Sequence, residues 1–425
     1  MFSKIQNTAL LVLAAWAALA QAAARIHLQS RDLTFDYMND KVRGVNLGGW
    51  LVLEPWITPS IFEQAGDSAI DEYTLTQNLG KDQAQSVLSN HWNTFITADD
   101  FQQIKNAGMN HVRIPVGYWA VNPLPGEPYV QGQLDVLDRA IDWARSAGLK
   151  VIIDLHGAPG SQNGFDNSGR RGPIEWQKQE GSVNQTLDAI QALAERYTPY
   201  ADVVTAIEAL NEPFTVGGAA GVQLEPLKQF YYDSWGRLRQ QNQDTALVLH
   251  DGFQDIDSWN GFMGPDSGVW NVIMDTHHYE VFENSFLVQS PDQHIQTACS
   301  FGKDKLSHTD KWTIVGEWTG AMTDCAKYLN GRGIGARYEG AYEGSTYLGS
   351  CDGKSQGTVA SLSDEDRTNI RRFIEAQMDA FEMNTGWLYW TWTTESAPEW
   401  DMKEQLAAGV FPYPVTDRQY PGQCA

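Results

Sequence analysis

Eight short apolar runs recur along this 425-residue chain, and helical spacing follows most of them. The runs are Val42–Leu47, Asn110–Pro115, Lys150–His156, Val203–Glu212, Ala246–His250, Val272–Tyr279, Thr313–Trp318 and Gly386–Trp392. Several are continuous apolar stretches, which are typical of strands buried on both faces. Strands and helices in alternation build parallel sheets, and eight repeats favour closure. The sequence therefore predicts an α/β fold, a (β/α)8 TIM barrel.

Five segments between these runs space their apolar residues at helical intervals. They are Ala98–Ala107, Leu134–Ala147, Val183–Tyr197, Leu224–Gln241 and Ser363–Met383. Long stretches without obvious secondary structure follow the first, third and seventh strands, at Gly48–Ala98, Gly157–Gly181 and Gly331–Gly357. On the strand-to-helix side of a barrel, such long loops predict walls around an active-site mouth.

The first residues have the pattern of a secretory signal peptide, with Lys4, an apolar run from Thr8 to Ala20, and small residues after it. The apolar run is shorter than the ~20 residues that a membrane span needs. No linker, repeat or low-complexity segment divides the rest. We expect residues 1–22 to be a signal peptide, residues 23–425 to be one catalytic barrel domain, and the protein to be secreted, extracellular or in the cell wall.

The formal net charge is −23, which repels phosphate backbones and anionic lipid. We therefore expect no nucleic-acid and no membrane partner, and a monomer that acts on a neutral polymer. The 16 Trp, 16 Tyr and 16 Phe agree with this, because flat aromatic faces pack on sugar rings. For any single ring, a place in the core is the simpler explanation.

Cysteines fall in the last third of the chain without CxxC spacing, at Cys299, Cys325, Cys351 and Cys424. In a secreted chain this even number predicts two disulfides, with three pairings open. Asn184 begins the chain's one Asn-Xaa-Ser/Thr sequon, at the start of a predicted helix, and we expect it to carry a glycan.

Polar and aromatic residues gather where the predicted strands end: Arg113, His156, Asn211 with Glu212, His277 with Tyr279, Glu317, and Trp390. The carboxyl ends of barrel strands share one rim, where such folds keep their chemistry. A buried core would not hold so many polar groups, because each would need a partner. Glu212 and Glu317 in one cleft are the two carboxylates that glycoside hydrolysis requires. The alternative is a pair of unrelated, solvated glutamates.

Neither a metal nor a cofactor is expected. His277 and His278 are adjacent on a strand, so they point to opposite faces and cannot chelate one ion together. Gly48 and Gly49 lack the spacing of a phosphate-binding loop. No Gly-Xaa-Ser-Xaa-Gly elbow follows a strand, which argues against a Ser-His-Asp hydrolase.

Seven phrases span the chain in order: Arg43–Pro55, Val112–Pro115, Asp154–Asn167, Leu210–Pro213, His277–Tyr279, Gly316–Trp318 and Gly386–Trp392. On these phrases the chain resembles glycoside hydrolase family 5, and within it the fungal secreted exo-1,3-β-glucanases. The resemblance implies a retaining enzyme that releases glucose from non-reducing ends of β-1,3-glucan, with transglycosylation as a further outcome. It also implies that Glu317 is the nucleophile and Glu212 the acid and base. Arg113 should keep Glu317 anionic and leave Glu212 as the carboxyl with the raised pKa.

The resemblance implies further roles around these carboxylates. Asn211 would bind the sugar 2-hydroxyl, and Tyr279 would touch the nucleophile. His156 and His277 would hold hydroxyls and carboxylates, although a lone histidine is more often structural. Trp390 would be the platform under the sugar, with Trp387 and Trp392 as alternatives.

The resemblance also implies how the pocket ends. Phe165 and Phe282 would pinch the next sugar at the entrance, while Glu54 and Asp166 would bind the terminal sugar's hydroxyls. The implied disulfides are Cys299–Cys424 and Cys325–Cys351.

Two other functions stay open. An endo-acting β-glucanase or mannanase on the same barrel would need an open groove, hence shorter loops after the first and third strands. A non-catalytic wall-binding protein is disfavoured because Glu212, Glu317 and Arg113 are all retained.

Overall fold

The computed structural model describes residues 33–425, so the predicted signal peptide at residues 1–22 lies outside the described part. Within it, eight parallel strands form a closed barrel in which each strand pairs with the next and the last pairs with the first. They are β1 (Val42–Asn46), β2 (His111–Gly117), β3 (Lys150–Gly157), β4 (Val204–Glu208), β5 (Ala246–His250), β6 (Val272–His278), β7 (Trp312–Trp318) and β8 (Gly386–Tyr389). The predicted fold is confirmed.

The five predicted helices form, each within two residues of its predicted ends. The α-helices of the described chain are α1 (Pro59–Gln64), α2 (Glu72–Leu79), α3 (Lys81–Thr94), α4 (Ala98–Asn106), α5 (Gln133–Ala147), α6 (Ser182–Tyr197), α7 (Leu224–Gln241), α8 (Asn284–Leu287), α9 (Pro291–Asp304), α10 (Asp364–Phe381) and α11 (Met402–Ala407). No helix within residues 33–425 is long and apolar enough to cross a bilayer.

The stretch after β1 is not the structureless loop that the sequence predicted, because it holds α1, α2 and α3. The start of α2 is fixed by a reciprocal capping box, in which Asp71 accepts the backbone N–H of Thr74 and the Thr74 hydroxyl accepts the N–H of Asp71. α1 and α2 escaped prediction because they are short, and α3 because few apolar residues line its buried face.

Two strand ends were also predicted wrongly. β4 ends at Glu208, four residues before Glu212, and β8 ends at Tyr389, before Trp390. The apolar residues continue past the end of both strands because the next residues are buried although they are not in the sheet. Glu212 and Trp390 therefore belong to the loops that follow β4 and β8.

The interior of the barrel changes character along its axis. An apolar cluster fills its amino-terminal half, with contributions from Val42, Ile152, Ile273, Ile314 and Leu388. Above it the inward residues become charged or polar, and all of them are buried. The apolar half is the floor on which the polar layer rests.

Candidate active site

Arg113 is the centre of this polar layer. It is fully buried on β2, where the strand register sets it beside Asn46 of β1. Its guanidinium donates to the Glu208, Glu317 and Asn211 side chains at 2.7, 2.9 and 2.8 Å, and lies 3.2 Å from Asp154. Burial opposes the charge, but these acids raise the pKa of Arg113 well above its ordinary value. The layer therefore contains a permanent cation.

His277 bridges the two glutamates singled out from the sequence. Its Nδ1 lies 2.8 Å from Oε1 of Glu212 and 3.4 Å from Oε2 of Glu317. Those two oxygens are thus at most about 6 Å apart, below the ~6.5 Å at which the carboxyl separations of inverting glycosidases begin. The spacing fits a retaining pair.

The two carboxylates have different partners. Glu317 accepts from Arg113 through Oε1 and from the Tyr279 hydroxyl through Oε2, at 2.9 Å each. Glu212 accepts from His277 and, through Oε2, from the Asn167 amide at 2.9 Å. Glu317 is thus held by a charge that cannot titrate, whereas Glu212 is held by one that can.

The pKa pattern corrects one expectation from the sequence. Burial would raise the pKa of Glu212, but the hydrogen bond and charge of His277, helped by Asn167, lower it below its ordinary value. Burial and the charge of Glu212 raise the pKa of Glu317, against the cations His277 and Arg113. Burial opposes a charge on His277 as well, yet Glu317, Asp275 and Glu212 raise its pKa well above the ordinary value. These directions favour the charged forms of both Glu212 and His277.

Glu212 has an unusual backbone. Its φ is +47°, a left-handed conformation that non-glycine residues seldom adopt. Such conformations persist where surrounding contacts over-determine them, and they cluster at functional sites. Here the turn directs the side chain at His277 and Asn167.

Several buried polar atoms around the carboxylates have no hydrogen-bond partner among the described residues, and they include Glu54 Oε1, His156 Nε2, Asp166 Oδ2 and Asn211 Nδ2. Their other atoms are anchored, since Glu54 accepts from Trp56 and His156 contacts Asp154. Burial, followed by the charge of Asp166, raises the pKa of Glu54 well above its ordinary value, while burial raises that of Asp166 to about 7. Buried polar atoms are normally paired, so this set fits a ligand with many hydroxyl groups.

The aromatic residues singled out from the sequence differ in their contacts and exposure. Trp390 stacks on His156 at 5.5 Å, whereas Trp387 packs in the core against Trp318 and Trp392 donates to Asp100. Only Trp390 of the three thus contacts a residue of the predicted site. Phe165 and Phe282 are 41% and 38% exposed.

Sequence reasoning missed several side chains that contact the predicted site, among them Asn167, Asp154 and Glu208. Asn167 donates to Glu212, and Asp154 and Glu208 neutralise Arg113. Inward-facing acids on β3 and β4 were available as a signal, since a buried carboxylate needs a cation. Asn167 belongs to a loop and had no comparable signal.

Two groups of potential metal ligands occur in residues 33–425, Glu212 with His250 and His277, and Glu208 with Asp275 and His277. Arg113 and His277 already supply cations to these acids. His250 accepts the N–H of Gly252 through Nδ1. These donors therefore fit an internal proton and charge network better than an ion.

The cysteines pair as Cys299–Cys424 and Cys325–Cys351, which is the pairing implied by the resemblance. The first bridge joins α9 to the last residues of the chain. The second closes the loop that follows β7.

Two buried carboxylates above a closed α/β barrel are what a barrel glycoside hydrolase requires. Residues 77–338 match the family model described as Cellulase (glycosyl hydrolase family 5). The chain is 59% identical over 426 residues to a probable glucan 1,3-beta-glucosidase A of Aspergillus fumigatus, covering 100% of both chains. It is 58% identical over 417 residues to a glucan 1,3-beta-glucosidase of Blumeria graminis, covering 97% of this chain and 96% of that one. The chain belongs to glycosyl hydrolase family 5.

A solved rutinosidase from Aspergillus niger has the same fold. The TM-score is 0.68 with 22% identity, over 88% of this chain and 99% of that one. At this identity the likeness concerns the fold alone.

Proposed function

We propose that the protein is a retaining exo-β-1,3-glucanase that removes glucose from the non-reducing ends of β-1,3-glucan. The observation that carries the proposal is the set of unpartnered buried polar atoms beside Glu212 and Glu317, which fits one sugar ring. The names of the relatives at 59% and 58% identity support the same substrate.

The reaction proceeds by two displacements at the anomeric carbon. Glu317 attacks that carbon while Glu212 protonates the departing oxygen, so the glycosidic bond breaks and a glycosyl ester forms. Glu212 then removes a proton from water, whose oxygen displaces Glu317 and restores the β configuration. A sugar hydroxyl in place of water gives transglycosylation.

Glu317 suits the nucleophile because Arg113 and Tyr279 stabilise its anion both before attack and when it leaves as a carboxylate. Glu212 suits the acid and base because its partner His277 can supply and recover a proton. Asn211 would reach the sugar 2-hydroxyl through its unpartnered Nδ2.

Exo action would need a pocket that is closed at one end and lined by aromatic side chains at its mouth. Glu54 and Asp166 are buried acids suited to the hydroxyls of a terminal glucose, and Trp390 to its face. Phe165 and Phe282 would receive the departing chain by stacking, which reads ring faces and not hydroxyl patterns. An endo-acting enzyme on this barrel is the second candidate.

Product analysis on a linear β-1,3-glucan distinguishes the two. We expect β-glucose as the first and dominant product, with little early loss of viscosity. Early mixed oligosaccharides would contradict the exo assignment and favour an endoglucanase.

Two experiments test the carboxylate roles. A 2-fluoro-glucoside should label Glu317, and labelling of Glu212 or of neither would refute the assignment. In Glu212→Ala, the rate of hydrolysis should fall most for substrates with poor leaving groups. Added azide should restore turnover and give a β-glycosyl azide as the product. An α-azide, or no rescue, would contradict a retaining mechanism with this acid and base.

We further propose that residues 1–22 direct secretion and that residues 23–425 act as one monomeric domain, extracellular or in the cell wall. The two disulfides support an oxidising location. Asn184 is exposed on α6 and is the proposed glycan site. Amino-terminal sequencing and a mass shift with endoglycosidase test both points.

A further inference from the structure

Asp275 is a buried acid on β6 that the two-carboxylate mechanism does not use. Its Oδ1 accepts the backbone N–H of Gly316 at 2.7 Å, directly before the nucleophile position. Its Oδ2 has no hydrogen-bond partner within residues 33–425 and lies 3.6 Å from Nε2 of His277, which also has none. Two unpaired buried polar atoms thus face each other.

The chain makes room for this carboxylate. A Cβ on Gly316 would stand 2.0 Å from Oδ2 and 2.3 Å from Oδ1 of Asp275, so any other residue would displace it. The glycine before Glu317 therefore has a physical reason, which is the close approach of Asp275 to β7.

The two nitrogens of His277 face acids on opposite sides. Nδ1 faces Glu212 and Glu317, while Nε2 faces Asp275. A neutral imidazole can donate from one nitrogen only, whereas an imidazolium donates from both.

The other titratable neighbours of His277 do not replace Asp275. His250 stands edge-on to the ring at 4.3 Å, and burial followed by the charge of His277 lowers the pKa of His250 well below its ordinary value. The titratable groups that face His277 from the surrounding strands and loops are Glu212, Glu317, Glu208, Asp275, Asp251 and His250. Arg113 and His156 act on the neighbouring Glu317 and His250. Among these acids, Asp275 is the one that contacts Nε2.

We propose that Asp275 is a positioning residue which, through Nε2, holds His277 as the proton-carrying bridge between Glu212 and Glu317. The inference rests on the proposed retaining mechanism. In the first step the Nδ1 proton of His277 passes to the Glu212 carboxylate, and Glu212 passes a proton to the departing oxygen, which leaves His277 neutral and Glu212 again a carboxylate. In the second step Glu212 takes a proton from water and returns one to His277, so the proton count closes over one turnover.

Asp275→Asn tests this with little change of shape. The Asn amide can still accept from Gly316, but its NH2 group would face Nε2 and favour a neutral ring. The basic limb of the kcat/KM profile should then move about one pH unit or more to lower pH. The acidic limb, set by Glu317, should move much less.

Glu399→Gln is the matched control, because Glu399 is also a buried acid but pairs with Thr323 and not with His277. Its basic limb should stay in place. If Asp275→Asn lowers activity evenly across pH, the role is structural and the proposal is overturned.

A measurement on the unmodified protein covers the case in which Asp275→Asn does not fold. Nitrogen-15 histidine NMR should show both His277 nitrogens protonated at neutral pH, with the signal assigned by its loss in His277→Gln. A neutral His277 there would overturn the inference. Failure of the protein to hydrolyse β-1,3-glucan would instead refute the proposed function.

Discussion

Tyr279→Phe should separate the two chemical steps. The Tyr279 hydroxyl donates to Oε2 of Glu317 at 2.9 Å, and the next donor, Nδ1 of His277, is 3.4 Å away. Oε1 still accepts from Arg113, so the substitution stabilises the Glu317 anion less but does not leave the carboxylate without a partner. The ring contacts with Phe282 and Trp400 need no hydroxyl and should remain.

The size of the effect follows from that one bond. A hydrogen bond to a charged group contributes about 1.5 to 3 kcal/mol, which corresponds to a factor of about 10 to 100 in rate. The loss should fall mainly on the second step, because there Glu317 must leave as an anion. The first step loses less, since a less stabilised carboxylate is a stronger nucleophile.

The assay is rapid mixing with dinitrophenyl β-glucoside, whose good leaving group makes the first step fast. We expect a burst of one phenolate per enzyme, a kcat lower by about 10- to 100-fold, and a lower KM because the ester accumulates. Tyr197→Phe, which loses a remote 3.3 Å bond to Leu134, should behave as the unmodified enzyme. A slower Tyr279→Phe with no burst and an unchanged KM would refute the reasoning.

Three further outcomes are expected. Replacing Cys299 and Cys424 by Ala should destabilise the protein by about 5 kcal/mol, against about 3.5 for the other bridge, since the closed loops span 125 and 26 residues; equal urea midpoints would contradict this. Burial raises the pKa of Glu399 to about 7, so the stability that its protonated form contributes is lost as pH rises from about 4.5 to 7. Glu399→Gln should reduce the fall in the free energy of unfolding over this range by about 3 kcal/mol. Unchanged melting profiles would count against it. Phe165→Ala should raise KM for oligosaccharides more than for an aryl glucoside, while Tyr232→Ala, at 38% exposure on α7, should change neither; equal losses on both substrates would argue against stacking at the entrance.

The barrel could be predicted from sequence because buried parallel strands leave continuous apolar runs. The point at which β4 ends could not be predicted, because Ala209 and Leu210 are as buried as the strand before them. The strand ends at Glu208 and the chain turns through a left-handed Glu212, whose side chain contacts His277 of β6 and Asn167 of the loop after β3.

The members of the predicted site were found more readily than their electrostatics. Arg113 beside Glu317 was expected, and the contact exists. The prediction that Glu212 has the raised pKa was wrong because it did not treat His277 as a cation. The sequence alone does not show that Asp275 approaches Nε2 of that ring. A pKa depends on every charge within a few ångströms, and those distances are set only when the whole barrel closes.

The hydrogen bonds of Arg113 also bear on how the chain folds. Its partners Asn46, Glu208, Asn211 and Glu317 are 67, 95, 98 and 204 residues away along the sequence. A half-closed barrel would leave a guanidinium and several acids out of water without each other, at a cost of several kcal/mol per ion. Partly assembled barrels that bury Arg113 without these acids are therefore penalised, so the residue at the centre of the site also favours closure of the complete barrel.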